Sequence, residues 1–479
     1  MLGVLGILSL PFWLSALMLA VYCITVLSIV VVVIGENRSP VRSLAWITVL
    51  LLLPVAGVVL YAFFGRSLKH MHIKVRTIRL HKRGKTLDTV EETERPWLGA
   101  STQGLANLGE SMCEAKFFQG GDVKIYTFGK EKFADLKADL RAAKRYINLQ
   151  YYIFLDDVIG KEIGEILMER ARSGVKVRVS YDEVGSWSCS RGFVQQLRKA
   201  GVEAQPFVPV AFPRLGTQIN WRNHRKIVII DGEVGYLGGM NIADRYVTGG
   251  HFDCWRDTHL RVTGQIVKAL QRSFAADWSF VGRPEIDDPV PEVEATSHAG
   301  MQLVTSGPVG RWSNVGMMFM NAIGHANRRI FIQTPYFLPT ESLLDALCAA
   351  ALSQVDVRIM LPKKSDSRML DLASHSFVKQ LLLAGVKVYF YQPGMMHSKL
   401  MIVDEEIATV GSTNFDFRSF EHNFECNLFM YDLELTRRLA STFEADQKEC
   451  VRVDRHLWMS RGKARRALES VARLFSPIL

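Results

Sequence analysis

The chain has 479 residues, 58 Lys and Arg against 48 Asp and Glu for a net charge of +10, and 48% hydrophobic side chains. A charged fraction of 22% with that apolar content excludes a disordered chain, and 36 glycines without a triplet period exclude a collagen-like one. Seven cysteines with no CxxC pair argue against a disulfide scaffold, a redox dithiol or a structural zinc site, and an odd thiol count suits a reducing compartment.

The front of the chain is membrane-like. No charged side chain occurs in residues 1–35, and a second uncharged apolar block fills residues 44–64. Crossing the hydrocarbon core takes ~20 helical residues. Pro11 divides the first block, so one transmembrane helix is predicted over residues 12–34 and a second over 44–64. A cleaved signal peptide fits less well, because no basic segment precedes the apolar run and a second run follows closely. The loop of residues 36–43 nets +1, whereas residues 66–85 carry eight basic side chains and no acid. The positive-inside rule therefore places everything after residue 65 in the cytoplasm. Residues 66–105 read as a basic, polar linker. His70 and His72 within it lack carboxylate or thiolate company and are assigned no metal.

The rest of the chain is written twice. Ile147–Phe154 resembles Ile330–Phe337, and each is followed by a helical run, a strand (Val175–Val179 or Val355–Ile359) and a second helical run ending Ala-Gly-Val. Strands alternating with helices predict two duplicated α/β domains, each a sheet covered by helices, over residues 106–290 and 291–479. The acidic stretch of residues 284–297 is the predicted seam. In the tail, Leu468, Val471, Leu474, Phe475 and Ile478 recur at helical spacing opposite Arg465, Arg466 and Arg473. Such an amphipathic helix either lies on a membrane or docks on the protein. Basicity confined to the two membrane-proximal segments points to anionic headgroups rather than nucleic acid.

Each repeat ends on the same constellation. His224, Lys226, Asp231 and Asn241 have the spacing of His397, Lys399, Asp404 and Asn414: Lys two after His, Asp seven and Asn seventeen. A phosphodiester transition state spreads negative charge over phosphoryl oxygens. Lys226, Lys399, Asn241 and Asn414 would give those oxygens fixed donors without a metal. One neutral imidazole can attack phosphorus, and the other, protonated, can supply the leaving alkoxide with a proton. Half of this set comes from each repeat, so the domains must share one central site. Each imidazole also needs an orienting carboxylate: Asp257 is the candidate for the first half and Glu425 for the second, with surface salt bridges as the alternative reading of both. Asp231 and Asp404 count with the catalytic set by pattern, although their tight-turn positions equally fit structural caps.

The duplicated HxKxxxxD pattern, followed by Gly-Gly or Gly-Ser and then Asn, resembles the phospholipase D superfamily. The paired N-terminal apolar segments, Gln150–Phe154, Gln333–Phe337 and the Ser-Pro-Ile-Leu ending are similar to its bacterial cardiolipin synthase branch, over essentially the whole chain. That resemblance implies an enzyme of the bacterial inner membrane with two α/β domains around one site. It implies transfer of a phosphatidyl group between two phosphatidylglycerol molecules through a phosphohistidine, without cofactor or metal, releasing cardiolipin and glycerol. A hydrolase with water as acceptor is the alternative. By the same analogy His224 is the nucleophile and His397 the acid and then base. Ser412, whose counterpart is Gly239, would be a phosphate contact of the second half alone. Anionic membrane lipids are the expected partners, and homo-oligomerisation stays open.

Overall fold

The computed structural model describes residues 11–35, 40–53, 56–61, 98–207, 221–292, 299–308, 310 and 312–476. The basic run of residues 66–85, the His70/His72 pair and the last three residues lie outside these.

The N-terminal residues form their own compact unit. Its first element is the 24-residue helix Phe12–Gly35, long and apolar enough to cross a membrane and largely without protein cover. The second apolar block departs from the expected uninterrupted span. It yields the shorter helices Pro40–Leu52 and Ala56–Leu60. Val26, Val33, Leu50 and Tyr61 bury one another, and Tyr22 Oη donates to the Leu50 carbonyl at 2.9 Å.

The remainder is the duplicated α/β body. One sheet has seven strands in the order Val123–Tyr126, His259–Thr263, Val234–Gly238, Ile227–Ile230, Tyr146–Tyr151, Lys176–Tyr181, Glu203–Pro206. The second has nine, and its middle seven repeat that order: Gly300–Ser306, Glu425–Tyr431, Ile407–Gly411, Leu400–Val403, Arg329–Gln333, Asp356–Pro362, Lys387–Tyr391. In both, the strand after the His-Lys pair runs antiparallel to the central strand, whose other neighbour is parallel.

Strand periodicity decides which core each side chain joins. In Ile227–Ile230, Ile227 and Ile229 face a core shared with the second sheet, and Val228 and Ile230 face the first lobe's outer helices. Leu400–Val403 does the same, with Leu400 and Ile402 in the shared core and Met401 and Val403 outside it. A run buried on both faces reads as continuous apolar sequence, as these two do. Helices Val267–Phe280 and Leu433–Lys448 supply Phe274, Trp278, Leu439 and Phe443 to the shared core. The two sheets are thereby held back to back through one apolar layer.

The lobe boundary differs from the sequence expectation. Helix Ala100–Cys113 places Leu105 and Ala106 in the second lobe's core, and strand Phe117–Gln119 pairs antiparallel with Gly300–Ser306. Gln302 fixes this arrangement by donating to the Ala106 and Ala115 carbonyls at 3.0 and 2.8 Å. The segment before the first repeat therefore completes the second lobe, because the open edge of that sheet takes an extra strand. At the tail, helix Lys463–Leu474 docks on helix Arg368–Ala384 through buried Glu469 and Ala472. Arg461 grips the Glu469 carboxylate at 2.6 and 2.9 Å, while Leu468, Val471 and Leu474 stay exposed.

Candidate active site

The segments preceding the two key histidines each cross to the other lobe. His224 N–H donates to the Phe424 carbonyl at 2.9 Å, and His397 N–H to the Arg256 carbonyl at 2.7 Å. Asn223 bridges Phe424, and Met395–Met396 pairs in parallel with Trp255–Arg256. These contacts occur once for each repeat, and each ends one residue short of a carboxylate.

That geometry crosses the carboxylates. His224 Nδ1 lies 3.0 and 3.1 Å from the Glu425 oxygens, and His397 Nδ1 lies 2.7 Å from Asp257 Oδ2. The sequence reading paired each imidazole with the carboxylate of its own half. Here each is oriented from the opposite lobe, because the strand pairing across the interface outranks proximity in sequence. Both carboxylates are fully buried. With Nδ1 donating to the carboxylate, Nε2 of each ring is the atom that can serve substrate, and at His397 it has Lys399 Nζ 3.3 Å away.

The flanking pair of residues explains why one carboxylate is Asp and the other Glu. Ser412 Oγ donates to Glu425 and accepts from the Cys426 N–H at 3.0 Å. A Cβ at the equivalent Gly239 would fall 2.0 Å from Asp257 Oδ1. Serine thus supports the longer carboxylate, and glycine clears room for the shorter. The Ser412 hydroxyl, expected at a phosphate, is committed to Glu425 instead.

The lysines share a role as well. Lys226 Nζ donates to the His224 carbonyl at 2.6 Å and Lys399 Nζ to the His397 carbonyl at 2.5 Å. Lys399 Nζ also lies 2.9 Å from His397 Nδ1. Burial pushes Lys226 down to about 7, further lowered by Lys399, and takes Lys399 to about 8 against the attraction of Asp257 and Glu425. Burial takes His224 down to about 4, overriding the pull of Glu425, and drives His397 well below its ordinary value. Asp257 is raised to about 6 by burial against the attraction of Lys399. Burial also works against the Glu425 carboxylate, but His224, Lys226 and Ser412 together outweigh it and hold it low. The site therefore favours neutral imidazoles and contains two easily discharged lysines and buried carboxylates.

The other predicted residues are placed elsewhere. The Asp231 carboxylate accepts the N–H groups of Lys144, Arg145 and Tyr146 at 2.7 to 2.8 Å, and Asp404 those of Asn327, Arg328 and Arg329 at 2.7 to 3.0 Å. Both have left-handed backbone, φ 54° and 53°, at the turn that closes the strand after the His-Lys pair. That strand separates them from the lysines, so they are corrected from catalytic groups to clamps tying the turn to the central strand. Asn241 Nδ2 donates to Tyr246 Oη at 2.6 Å while its Oδ1 accepts from the Ile153 N–H at 3.1 Å, so the amide is held in place with its second N–H unassigned by these contacts. Asn414 is buried with Oδ1 unpartnered. Arg225 and Ser398, which stand between the His and Lys of the two motifs, bond Asp277 and Thr258 respectively.

Spacing gave no sign of the supporting network. Asp277 receives Arg225 Nη1 at 2.7 Å, Gln150 Nε2 at 2.6 Å and Asn223 Nδ2 at 3.1 Å. Asp446 likewise receives Arg256 and Gln333. The signal was the glutamine at matching positions of the two repeats. The rings of Tyr152, Tyr246 and Trp255, which pack on the two imidazoles, left no such signal.

Comparison with known proteins completes the picture. The model of the cardiolipin synthase PLD-like domain matches residues 136–278 and 319–447, more than half of the chain. The chain belongs to the cardiolipin synthase family. The phospholipase D-nuclease N-terminal model matches residues 23–66. Cardiolipin synthase of Halalkalibacterium halodurans is 40% identical over 478 residues, covering 98% of this chain and 95% of the relative. Major cardiolipin synthase ClsA of Bacillus subtilis is 38% identical, covering 97% and 99%. Phosphatidylserine synthase of Haemophilus influenzae shares the fold at 12% identity with a TM-score of 0.59, over 78% of this chain and 98% of that one. Family membership makes the chain an enzyme, a phosphatidyltransferase of the phospholipase D superfamily.

Proposed function

We propose that the enzyme joins two phosphatidylglycerol molecules into cardiolipin and glycerol through a phosphohistidine. The observation that supports this is the crossed pair of histidine–carboxylate contacts, which equips two imidazoles from opposite lobes for opposite tasks. His224 Nε2 attacks phosphorus, the bond from phosphorus to the glycerol oxygen breaks, and His397 Nε2 gives that oxygen its proton. The acceptor's hydroxyl then returns a proton to His397 as its oxygen attacks phosphorus and the P–N bond breaks. His224 is the nucleophile because its partner Glu425 is held ionised and can stabilise the charge that forms on the ring. His397 lies against Lys399 and gains its proton when the bound phosphodiester adds negative charge beside it. Lys226 and Lys399 stabilise the charge that builds on the phosphoryl oxygens.

The substrate is a membrane lipid, and helix Phe12–Gly35 supplies an anchor of suitable length. The shorter apolar helices that follow would return the chain across the bilayer, leaving the basic residues after 65 and the catalytic body on the cytoplasmic side. Purified enzyme in phosphatidylglycerol micelles is expected to release equal amounts of cardiolipin and glycerol. Phosphatidic acid as the main lipid product would make it a hydrolase and overturn the transferase reading.

The lysines also set a pH dependence. A cation with a lowered pKa loses its charge as pH rises through that value. Hence kcat/KM, which reports the free enzyme, should fall from about 7 to about 8 upward. Bound phosphodiester opposes that loss, so the falling limb of kcat should lie at higher pH. Steady-state profiles from neutral to alkaline pH check this, and a kcat/KM that stays level across the range would remove the lysines from the role.

A further inference from the structure

The two imidazoles have different neighbours. The Trp255 ring centroid lies 5.3 Å from that of His397 and the Tyr246 centroid 6.0 Å, with the two aromatic rings 5.2 Å apart. Arg245 covers both, its guanidinium 5.3 Å from the Trp255 ring and 5.7 Å from the Tyr246 ring.

Each member of this cluster has a hydrogen to give, and for Trp255 and Arg245 no acceptor meets it among the described residues. Trp255 is 3% exposed, and its Nε1 has no partner among the described residues. Arg245 Nε is buried and equally unpartnered, and the guanidinium makes no ion pair among the described residues. Tyr246, also 3% exposed, accepts from Asn241 and thus keeps its own hydroxyl proton for another acceptor. The nearby Asp366 carboxylate is bonded by Tyr336 Oη. Two buried donors left unpaired beside a phenol that can still donate describe the chemistry of what belongs there. It is rich in acceptor oxygens and negatively charged.

We propose that Arg245, Tyr246 and Trp255 seat the glycerophosphate headgroup of the acceptor lipid. This rests on the transferase reading above. The donor's phosphate lies between His224 and the two lysines, and His397 exchanges a proton first with the departing glycerol and then with the arriving hydroxyl. Both groups pass the Trp255 side of His397, but only the acceptor lipid brings a second phosphate. Arg245 therefore distinguishes phosphatidylglycerol from free glycerol and from water, and commits the phosphoenzyme to transfer rather than hydrolysis.

The test uses the full-length enzyme in phosphatidylglycerol micelles, with cardiolipin, phosphatidic acid and released glycerol measured together. Glycerol counts every donor cleaved, so the ratio of cardiolipin to glycerol is independent of overall rate. In Arg245→Gln that ratio is expected to fall about tenfold, the effect of one charge-assisted hydrogen bond, with phosphatidic acid making up the difference. Arg245→Lys should recover part of it. Trp255→Phe, which keeps a ring and removes the indole N–H, should lower the ratio in the same direction. A ratio equal to wild type in both Arg245→Gln and Trp255→Phe overturns the subsite alone. A wild-type enzyme that forms no cardiolipin overturns the transferase reading and the subsite with it.

Discussion

Replacing His224 by alanine is expected to cut cardiolipin formation by at least ~10⁴-fold, because the atom that attacks phosphorus is gone and no neighbouring group can substitute for it. His397→Ala should be nearly as inactive for a different reason, since the leaving oxygen receives no proton and the acceptor hydroxyl loses its base. The two variants are separated by what they retain. With phosphatidylglycerol labelled at phosphorus, His397→Ala, which keeps the attacking ring and loses the base for discharge, should take up label on the protein slowly and hold it, whereas His224→Ala should carry none. Label on His224→Ala and none on His397→Ala would reverse the assignment. Glu425→Gln belongs to the same series. Its carboxylate orients His224 across the interface at 3.0 Å, so its loss should impair phosphoenzyme formation rather than its discharge.

Asp277→Ala is expected to destabilise the catalytic body by roughly 3–5 kcal/mol, the cost of leaving a buried cation without its partner. Arg225 is almost completely buried, and Asp277 receives its Nη1 through both oxygens at 2.7 Å. The same guanidinium donates to the Glu425 and Ser306 carbonyls of the second lobe at 3.1 Å. Removing Asp277 thus loosens the strand segment carrying His224 and Lys226 and the interface that delivers Glu425. Urea unfolding of the purified protein should show the lower midpoint, together with reduced activity in the protein that stays folded. An unchanged midpoint would show that the buried ion pair is dispensable.

The sequence alone determined the duplication and its chemistry. Repeated His, Lys, Asp and Asn at fixed spacing are local facts of the chain, and so is the apolar run that makes Ile227–Ile230 and Leu400–Val403 doubly buried strands. Spacing also placed Asp231 and Asp404 at turns, because a left-handed residue next to a short strand is a property of neighbouring residues. It did not separate a clamp from a reacting group, since that depends on which backbone amides the turn meets. Tertiary structure alone decided the pairings between distant segments. Glu425 serves His224 and Asp257 serves His397 because strand pairing across the interface delivers each carboxylate to the opposite lobe. For the same reason residues 100–119 joined the lobe that comes later in the chain, whereas the contacts of Ser412 with Glu425 and of Asn241 with Tyr246 form at short range within one lobe. A hydrogen bond between segments more than a hundred residues apart is fixed by how sheets pack, and no period within either segment records it.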